Sequence, residues 1–92
     1  MRFEGDANKA AANLAKHGVS FEEAQEVFDD EDALVSYDAF HSEDEERFFI
    51  IGFSSRRLLY VVYAECEDDV IRLISARRAV REEQKDYERA ND

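Results

Sequence analysis

The side chains best suited to chemistry are arginines around one apolar segment, Val70–Ala76. Strict alternation along this predicted strand places Arg72 and Ala76 on one face, opposite Leu73. An arginine in an apolar strand needs a partner charge or a ligand. Together the nearby arginines predict a guanidinium cluster suited to bidentate phosphate contacts, made of Arg47, Arg72, Arg77, Arg78 and Arg81. The alternative is ion pairing with the many carboxylates, which composition alone favours.

A second candidate is Lys16-His17-Gly18, which places a cation and an imidazole at the end of a predicted helix. The imidazole could act as a general base, and both side chains could bind phosphate. The same residues also fit a simple C-cap, in which Gly18 is left-handed and the cations interact with the last carbonyls. Both interpretations remain open at this point.

Glu83 and Tyr87 are spaced four residues apart on the last predicted helix and therefore share a face. They could orient a substrate. Alternatively, Glu83 pairs with arginines while Tyr87 packs on the sheet. His41, in an acidic stretch, is interpreted as a loop residue without a chemical role.

Composition limits the class of protein. The 92 residues, at 10.7 kDa and 45% hydrophobic, predict one folded domain over residues 1–92 and exclude a disordered chain. The single cysteine, Cys66, excludes a disulfide framework and a cysteine-rich zinc site, and it fits a reducing compartment. No apolar run approaches the roughly 18 residues of a membrane span. We therefore expect a cytoplasmic protein that binds no membrane.

The net charge of −11 is concentrated in one segment. Residues 29–46, here called the acidic segment, carry nine acidic and no basic side chains, whereas residues 47–92 carry nine of each. Binding to nucleic acid is therefore disfavoured by the total charge but compatible with a local basic surface. We expect the acidic segment and the Arg47, Arg72 and Arg77 side chains to lie on different faces.

Hydrophobic periodicity predicts an α+β fold with two N-terminal helices, an antiparallel sheet of about four strands and a C-terminal helix. The first helix, Ala7–Lys16, is expected to bury Ala7, Ala10, Ala11 and Leu14. The second starts at a Ser20–Glu23 capping box and buries Phe21, Ala24, Val27 and Phe28. Strands are predicted at Arg2–Glu4, Ala33–Tyr37, Arg47–Phe53, Leu58–Cys66 and Val70–Ala76, followed by a helix at Ala79–Arg89.

Two of these elements lack a simple apolar face. The last helix offers little beyond Val80 and Tyr87, so a broad hydrophobic face cannot hold it. Leu58–Tyr63 is apolar on both faces, which indicates a central strand covered on both sides or by a partner. Both features favour a protein that binds a partner.

A specific series of sequence blocks covers nearly the whole chain: Phe3-Glu4-x-Asp6, Lys9, Asn13, Lys16-His17-Gly18-Val19-Ser20-Phe21-Glu22-Glu23-Ala24, Val27-Phe28, Glu45-Glu46-Arg47, Gly52, Ile71-Arg72-Leu73-Ile74-Ser75-Ala76-Arg77-Arg78-Ala79, Glu83 and Tyr87. In these blocks and their order the chain resembles the BrnT family of toxins. The resemblance implies a RelE-like ribonuclease toxin of a type II toxin–antitoxin system. It also implies a BrnA-like ribbon–helix–helix antitoxin as partner, with DNA contacted only indirectly through that antitoxin.

The implied reaction is RNA cleavage by the ribose 2′-OH without a metal or cofactor, which would arrest translation. A base removes the 2′-OH proton, an acid protonates the leaving 5′-oxygen, and cations stabilise charge on the phosphoryl oxygens. Charge stabilisation is assigned to Arg72 and Arg77, and proton transfer to His17 or Tyr87. Contacts with RNA are assigned to Lys16, Arg47, Arg78 and Arg81. The alternative is an attenuated binding module that acts with its antitoxin as a co-repressor.

Two positions depart from the family pattern. Gly5 stands where the family usually has Trp, which removes an aromatic surface. Cys66 stands where an Arg often follows a Glu, which removes one cation. Both departures bear on catalytic potency rather than on fold.

Overall fold

The computed structural model of the chain describes residues 1–42 and 45–92. Its helices and strands are β1 (Arg2–Glu4), α1 (Ala7–His17), α2 (Phe21–Glu26), β2 (Leu34–Tyr37), β3 (Arg47–Phe53), β4 (Leu58–Cys66), β5 (Val70–Arg78) and α3 (Arg81–Ala90). Short 3₁₀ turns follow α2, β2 and β4. Glu43 and Asp44 of the acidic segment lie outside the described residues, as does the side chain of His41.

The strands form one mixed sheet in the order β1-β5-β4-β3-β2. The predicted α+β class is confirmed, with two helices before the main strands and one after them. The sheet has five strands rather than about four, because β1 pairs parallel to β5, with Arg2 opposite Val70. A parallel neighbour needs a long connection, and a three-residue strand carries no pattern that reveals its partner.

Helix α1 begins and ends as predicted but buries a different face. Asp6 Oδ1 accepts from the amides of Asn8 and Lys9 at 2.7 and 3.3 Å, and Gly18 ends the helix with φ +68°. Leu14 is 51% exposed, so its predicted burial is wrong.

The buried residue of α1 is Asn13. Its side chain forms hydrogen bonds with the edge of β5 that a neighbouring strand would otherwise form. Its Nδ2 donates to the carbonyl oxygens of Val19 and Ala76 at 2.9 and 2.8 Å, and its Oδ1 accepts from Ala76 N at 3.0 Å. These bonds satisfy backbone groups of β5 beyond its pairing with β1. The hydrogen bonds that these backbone groups need, rather than the apolar residues of α1, therefore decide which face of the helix is buried.

Helix α2 buries Phe21 and Ala24 as predicted, while Val27 is buried and Phe28 partly buried in the 3₁₀ turn that follows it, and its capping box is only half formed. Ser20 Oγ accepts from Glu23 N at 3.0 Å, whereas the Glu23 carboxylate turns away to the β3–β4 turn. There it accepts from Ser54 Oγ at 2.7 Å and from Arg57 Nε and Nη2 at 3.0 and 2.9 Å. The hydrogen bonds from Arg57, aided by Ser54, hold the pKa of Glu23 below its usual value. This buried cluster fastens α2 to the sheet.

A β-bulge changes the faces of β5. Tyr63 pairs with Leu73 and Val62 pairs with Ser75, so Ile74 is the extra residue. Ala76 therefore joins Leu73 in the core beneath α1 and α2. The predicted face shared by Arg72 and Ala76 is wrong, because alternation restarts after the bulge and places Ser75 and Arg77 with Arg72.

Polar contacts hold α3 against the opposite sheet face, as its thin apolar stripe predicted. None of its residues is buried. Glu83 binds Arg77, Tyr87 Oη donates to Asp30 Oδ2 at 2.8 Å, and Asn91 Nδ2 donates to Asp32 O at 2.9 Å. Within the described residues, no helix is long and apolar enough to cross a membrane.

Candidate functional site

The sheet face opposite α1 and α2 is only partly covered by α3, and its remainder is here called the open face. Cross-strand register aligns Arg47, Ala64 and Arg72 in one row. Ile51, Tyr60 and Arg77 form another row, nearer α3. The partly exposed side chains of the open face include Arg47, Phe49, Tyr60, Val62, Arg72, Ser75 and Arg77.

Arg77 is the most firmly positioned cation of this face. Its Nη1 and Nη2 donate to the two carboxylate oxygens of Glu83 at 2.9 and 2.8 Å. Its Cζ lies 4.3 Å from the centre of the Tyr60 ring. The bonds to Glu83 raise the pKa of Arg77, so the guanidinium stays charged. Burial opposes ionisation of Glu83, but Arg77 and the Val80 amide hold its pKa below the usual value.

Aromatic rings lie beside this cation. Phe49 stacks on Tyr60 with ring centres 5.1 Å apart and planes inclined by 22°. Burial, followed by the charge of Glu83, raises the pKa of Tyr60. A guanidinium next to stacked, partly exposed rings offers both a phosphate contact and a surface for a planar base.

Arg47 and Arg72 share a single carboxylate, Glu45. Its Oε1 lies 3.7 Å from Arg47 Nε, and its Oε2 pairs with Arg72 Nη2. Arg47 Nε is buried and has no hydrogen-bond partner in the part of the chain that the structure describes. Glu45 belongs to the acidic segment, so the prediction that this segment and the arginines occupy different faces is wrong. The connection from β2 to β3 ends in the same row as these cations.

The predicted five-arginine cluster is wrong as a single group. Arg72 and Arg77 are five residues apart on β5, which separates their backbones by roughly 15 Å. Arg78 is exposed at the end of β5, on the side opposite Arg77. Arg81 is exposed on α3, where it lines a groove with Gln84, Lys85 and Glu88. The extended strand and the start of a helix distribute these charges along more than one surface.

Lys16 and His17 line a shallow groove of about 240 Å³ between α1 and β5. Lys9, Ile74 and Ser75 contribute to the same groove. Ser75 also belongs to the open face, so the groove borders the arginine surface at the outer edge of β5. Gly18 has the predicted left-handed conformation, and its amide donates to Leu14 O at 2.9 Å. The left-handed Gly18 of the capping interpretation is confirmed, and His17 lines a groove that it shares with Ser75 of the open face.

Tyr87 is held in place by its contacts with Asp30 and Phe53. Burial and the hydrogen bond to Asp30 raise the pKa of Tyr87 to about 12. Its ring meets that of Phe53 edge-on, with centres 5.5 Å apart. Asp30 also accepts from Phe53 N at 2.8 Å, and although burial opposes ionisation, these bonds keep its pKa below the usual value. A phenol so placed is poorly suited to take up or release a proton near neutral pH.

Three residues of the site escaped the sequence reasoning: Phe49, Tyr60 and Glu45. The two-sided apolar pattern of Leu58–Tyr63 was the available signal for Tyr60, because a central strand must show one face to the open side. Nothing in the sequence signals the contact of Glu45 with Arg72, which depends on the connection between β2 and β3.

The two departures from the family pattern lie in different places. A Cβ on Gly5 would come within 3.1 Å of the buried Phe21 ring, so a larger residue there needs Phe21 to shift. Cys66 follows Ala64 by two residues on β4 and therefore shares the side of the open face. An arginine at that position would extend the row of Arg47 and Arg72.

Comparisons with known proteins identify a family and a shared fold. Residues 6–83 match the family described as "Ribonuclease toxin, BrnT, of type II toxin-antitoxin system". The fold is similar to the crystal structure of the Brucella abortus ribonuclease toxin BrnT, with a TM-score of 0.68 and 23% identity, covering 88% of this chain and 99% of that one. At this identity the likeness shows a shared fold. No curated protein sequence matches the chain.

Proposed function

The chain belongs to the BrnT family of ribonuclease toxins of type II toxin–antitoxin systems, and from this premise we propose that RNA binds on the open face. The observation that carries this proposal is the position of the Arg77 guanidinium, 4.3 Å above the Tyr60 ring beside Phe49. This arrangement suits a single strand of RNA, because a phosphate can contact the cation while an unpaired base stacks on an aromatic ring.

The proposed reaction is attack of a ribose 2′-OH on the adjacent phosphate, with release of the 5′-oxygen. The bond from the 2′-oxygen to phosphorus forms as the bond to the leaving 5′-oxygen breaks; the 2′-OH proton passes to a base, and the 5′-oxygen takes up a proton from solvent. Arg77 stabilises the negative charge that grows on the phosphoryl oxygens. Its bidentate bonds with Glu83 fix the guanidinium in place, so little reorganisation is needed at that moment. This reaction requires no metal ion.

Of the two predicted proton-transfer residues, we assign this role to His17 rather than Tyr87. His17 lies in the groove that meets the open face at Ser75, whereas Tyr87 is held by Asp30 with a pKa of about 12. Lys16 then contacts the RNA backbone along the same groove. Arg47 and Arg72 position a neighbouring phosphate once Glu45 releases them.

We further propose that the antitoxin is a BrnA-like ribbon–helix–helix protein and that DNA is contacted only through it. Type II systems pair a toxin with a protein antitoxin, so the family implies an antitoxin partner and an RNA substrate. One observation favours the second candidate, an attenuated co-repressor: Arg47, Arg72 and Arg77 each lie against a carboxylate. Growth arrest by the free protein distinguishes the two functions.

The decisive experiment compares Arg77→Ala with Arg78→Ala, because these neighbours carry the same charge but lie on opposite sides of β5. Arg77→Ala should lower the rate of RNA cleavage by about 100-fold and relieve growth arrest. Arg78→Ala should cleave like the wild type. Circular dichroism of both variants checks that they fold. Equal activity of the two variants, or a harmless wild-type protein at high concentration in cells, would contradict the nuclease proposal.

A further inference from the structure

The outer edge of β2 carries no further strand in the described part of the chain. β2 pairs only with β3 within the described residues. Beyond the strand end, Asp38 N donates to Arg47 O at 2.8 Å, which fixes the phase of the antiparallel hydrogen bonds. By this phase Ser36 bonds to β3, whereas the N–H and C=O groups of Val35 and Tyr37 point outward. Two residues therefore present four backbone groups at the edge.

The side chains at this edge form an apolar surface. Val35 and Tyr37 are each 50% exposed, and Phe40 is 91% exposed. Tyr37 also contacts Phe48, with ring centres 5.4 Å apart, and Phe48 stacks on the buried Tyr63. Natural edge strands are often protected by lysine, proline, a bulge or a very short length, and of these Leu34–Tyr37 has only its length of four residues. The edge of β2 is therefore accessible for pairing over a short stretch.

Charge identifies the occupant. β2 lies within the acidic segment, which carries nine acidic and no basic side chains. An RNA strand would be repelled there, and a second copy of this chain would bring the same acidic segment. A basic polypeptide is complementary to it.

We propose that an extended, basic segment of the antitoxin adds to β2 as a sixth strand of the sheet. Its backbone would pair with Val35 and Tyr37, its apolar side chains would cover Val35, Tyr37 and Phe40, and its lysines or arginines would face the acidic segment. This inference rests on the proposed function, because it takes the antitoxin as the source of the strand. It places antitoxin binding at the sheet edge, apart from the open face.

Val35→Pro tests the edge directly, because proline removes the outward N–H without removing a hydrogen bond to β3. Val35→Thr is the matched control, since it keeps the N–H and the branched shape. Val35→Lys is a second test that leaves the backbone intact and adds a charge that repels a basic strand. The probe is the co-encoded antitoxin, purified and titrated by calorimetry. Proline and lysine should each weaken binding by about tenfold or more, and threonine by less than about threefold.

Amide hydrogen exchange provides an independent measurement. The Val35 and Tyr37 amides should exchange rapidly in the free protein and become protected in the complex, while Ser36 is protected in both. Val35→Pro should still arrest growth without antitoxin but resist neutralisation when the antitoxin is co-expressed, which also shows that the variant folds.

The outcomes separate the two proposals. If wild-type protein binds the antitoxin and Val35→Lys binds equally well with no protection at Val35 and Tyr37, the edge inference is overturned while the antitoxin partnership stands. If wild-type protein does not bind the co-encoded antitoxin at all, the partnership itself fails, and the inference fails with it.

Discussion

Replacing Glu45 by Gln should strengthen the binding of RNA, because this carboxylate occupies two of the cations that we assign to phosphate. Glu45 pairs with Arg72 and lies 3.7 Å from Arg47 Nε. RNA that uses both guanidinium groups must first break these contacts. Glutamine keeps the size of the side chain and removes its charge.

The size of the effect follows from the exposure of the three side chains, which are 27–39% accessible to solvent. Ion pairs at such partly exposed sites typically contribute about 0.5–1 kcal/mol each. Releasing two pairs should therefore favour RNA by about 1–2 kcal/mol, which corresponds to a roughly five- to thirtyfold lower Kd. Because Glu45 lies in contact with both cations, well inside the Debye length of about 8 Å at 0.15 M salt, most of this gain should persist at physiological ionic strength.

The assay is fluorescence anisotropy with a labelled single-stranded RNA whose 2′-positions are methylated, so that it binds without being cleaved. Glu46→Gln is the matched control, since Glu46 is the next residue, is exposed and carries the same charge. Glu46→Gln should change the Kd by less than about twofold at 0.15 M salt. Equal gains from both variants would show that only total charge matters, and a weaker affinity for Glu45→Gln would refute the release of Arg47 and Arg72.

Two further predictions concern stability. Glu23→Gln should reduce the free energy of unfolding by about 1–2 kcal/mol at pH 7, because the buried Glu23 carboxylate loses charge-assisted hydrogen bonds from Ser54 and the partly exposed Arg57. The hydrogen bonds from Arg57 hold the folded-state pKa of Glu23 below its ordinary value of 4.5, so its contribution to stability is present above that pH and is lost as the pH falls through the folded-state pKa. Urea titrations of the two proteins should therefore converge as the pH is lowered below 4.5. Tyr87→Phe should cost about 1 kcal/mol by removing the bond to Asp30. Its pH–rate profile for RNA cleavage should match that of the wild type, because a phenol with a pKa of about 12 stays protonated; a lost limb in that profile would restore Tyr87 as a proton-transfer residue.

Local patterns predicted most of the fold because each element carries its own signals. The limits of β3 and β4 are those predicted, and Asp6 and Gly18 cap α1 as expected. The predictions fail where the structure depends on contacts with residues that are distant in the sequence. Asn13 is buried because the β5 edge needs its amide, and Ile74 bulges where β4 and β5 change register. Neither feature can be recognised from the sequence of one strand or one helix alone.

The candidate site was predicted less completely for the same reason. The alternative in which Glu83 pairs with an arginine is confirmed, because Arg77 and Glu83 are close in sequence and bind each other. The cluster with Arg78 and Arg81 was wrong, because an extended strand followed by a helix directs neighbouring charges to different sides. The pairing of Glu45 with Arg72 spans 27 positions and needs the three-stranded register of β3, β4 and β5.

The carboxylates beside the arginines have different consequences, and this difference reconciles a net charge of −11 with an RNA substrate. Glu83 lies in the first turn of α3, where it also accepts from Val80 N at 2.9 Å, so its bidentate bond holds Arg77 in one orientation. Glu45 lies on the connection between β2 and β3 and is bonded only to the arginines that we assign to phosphate binding, within the described residues. A fixed carboxylate positions a cation for the transition state, whereas an exchangeable one competes with the substrate. The acidic segment can therefore restrain RNA binding through Glu45 while its β2 edge attracts a basic antitoxin strand.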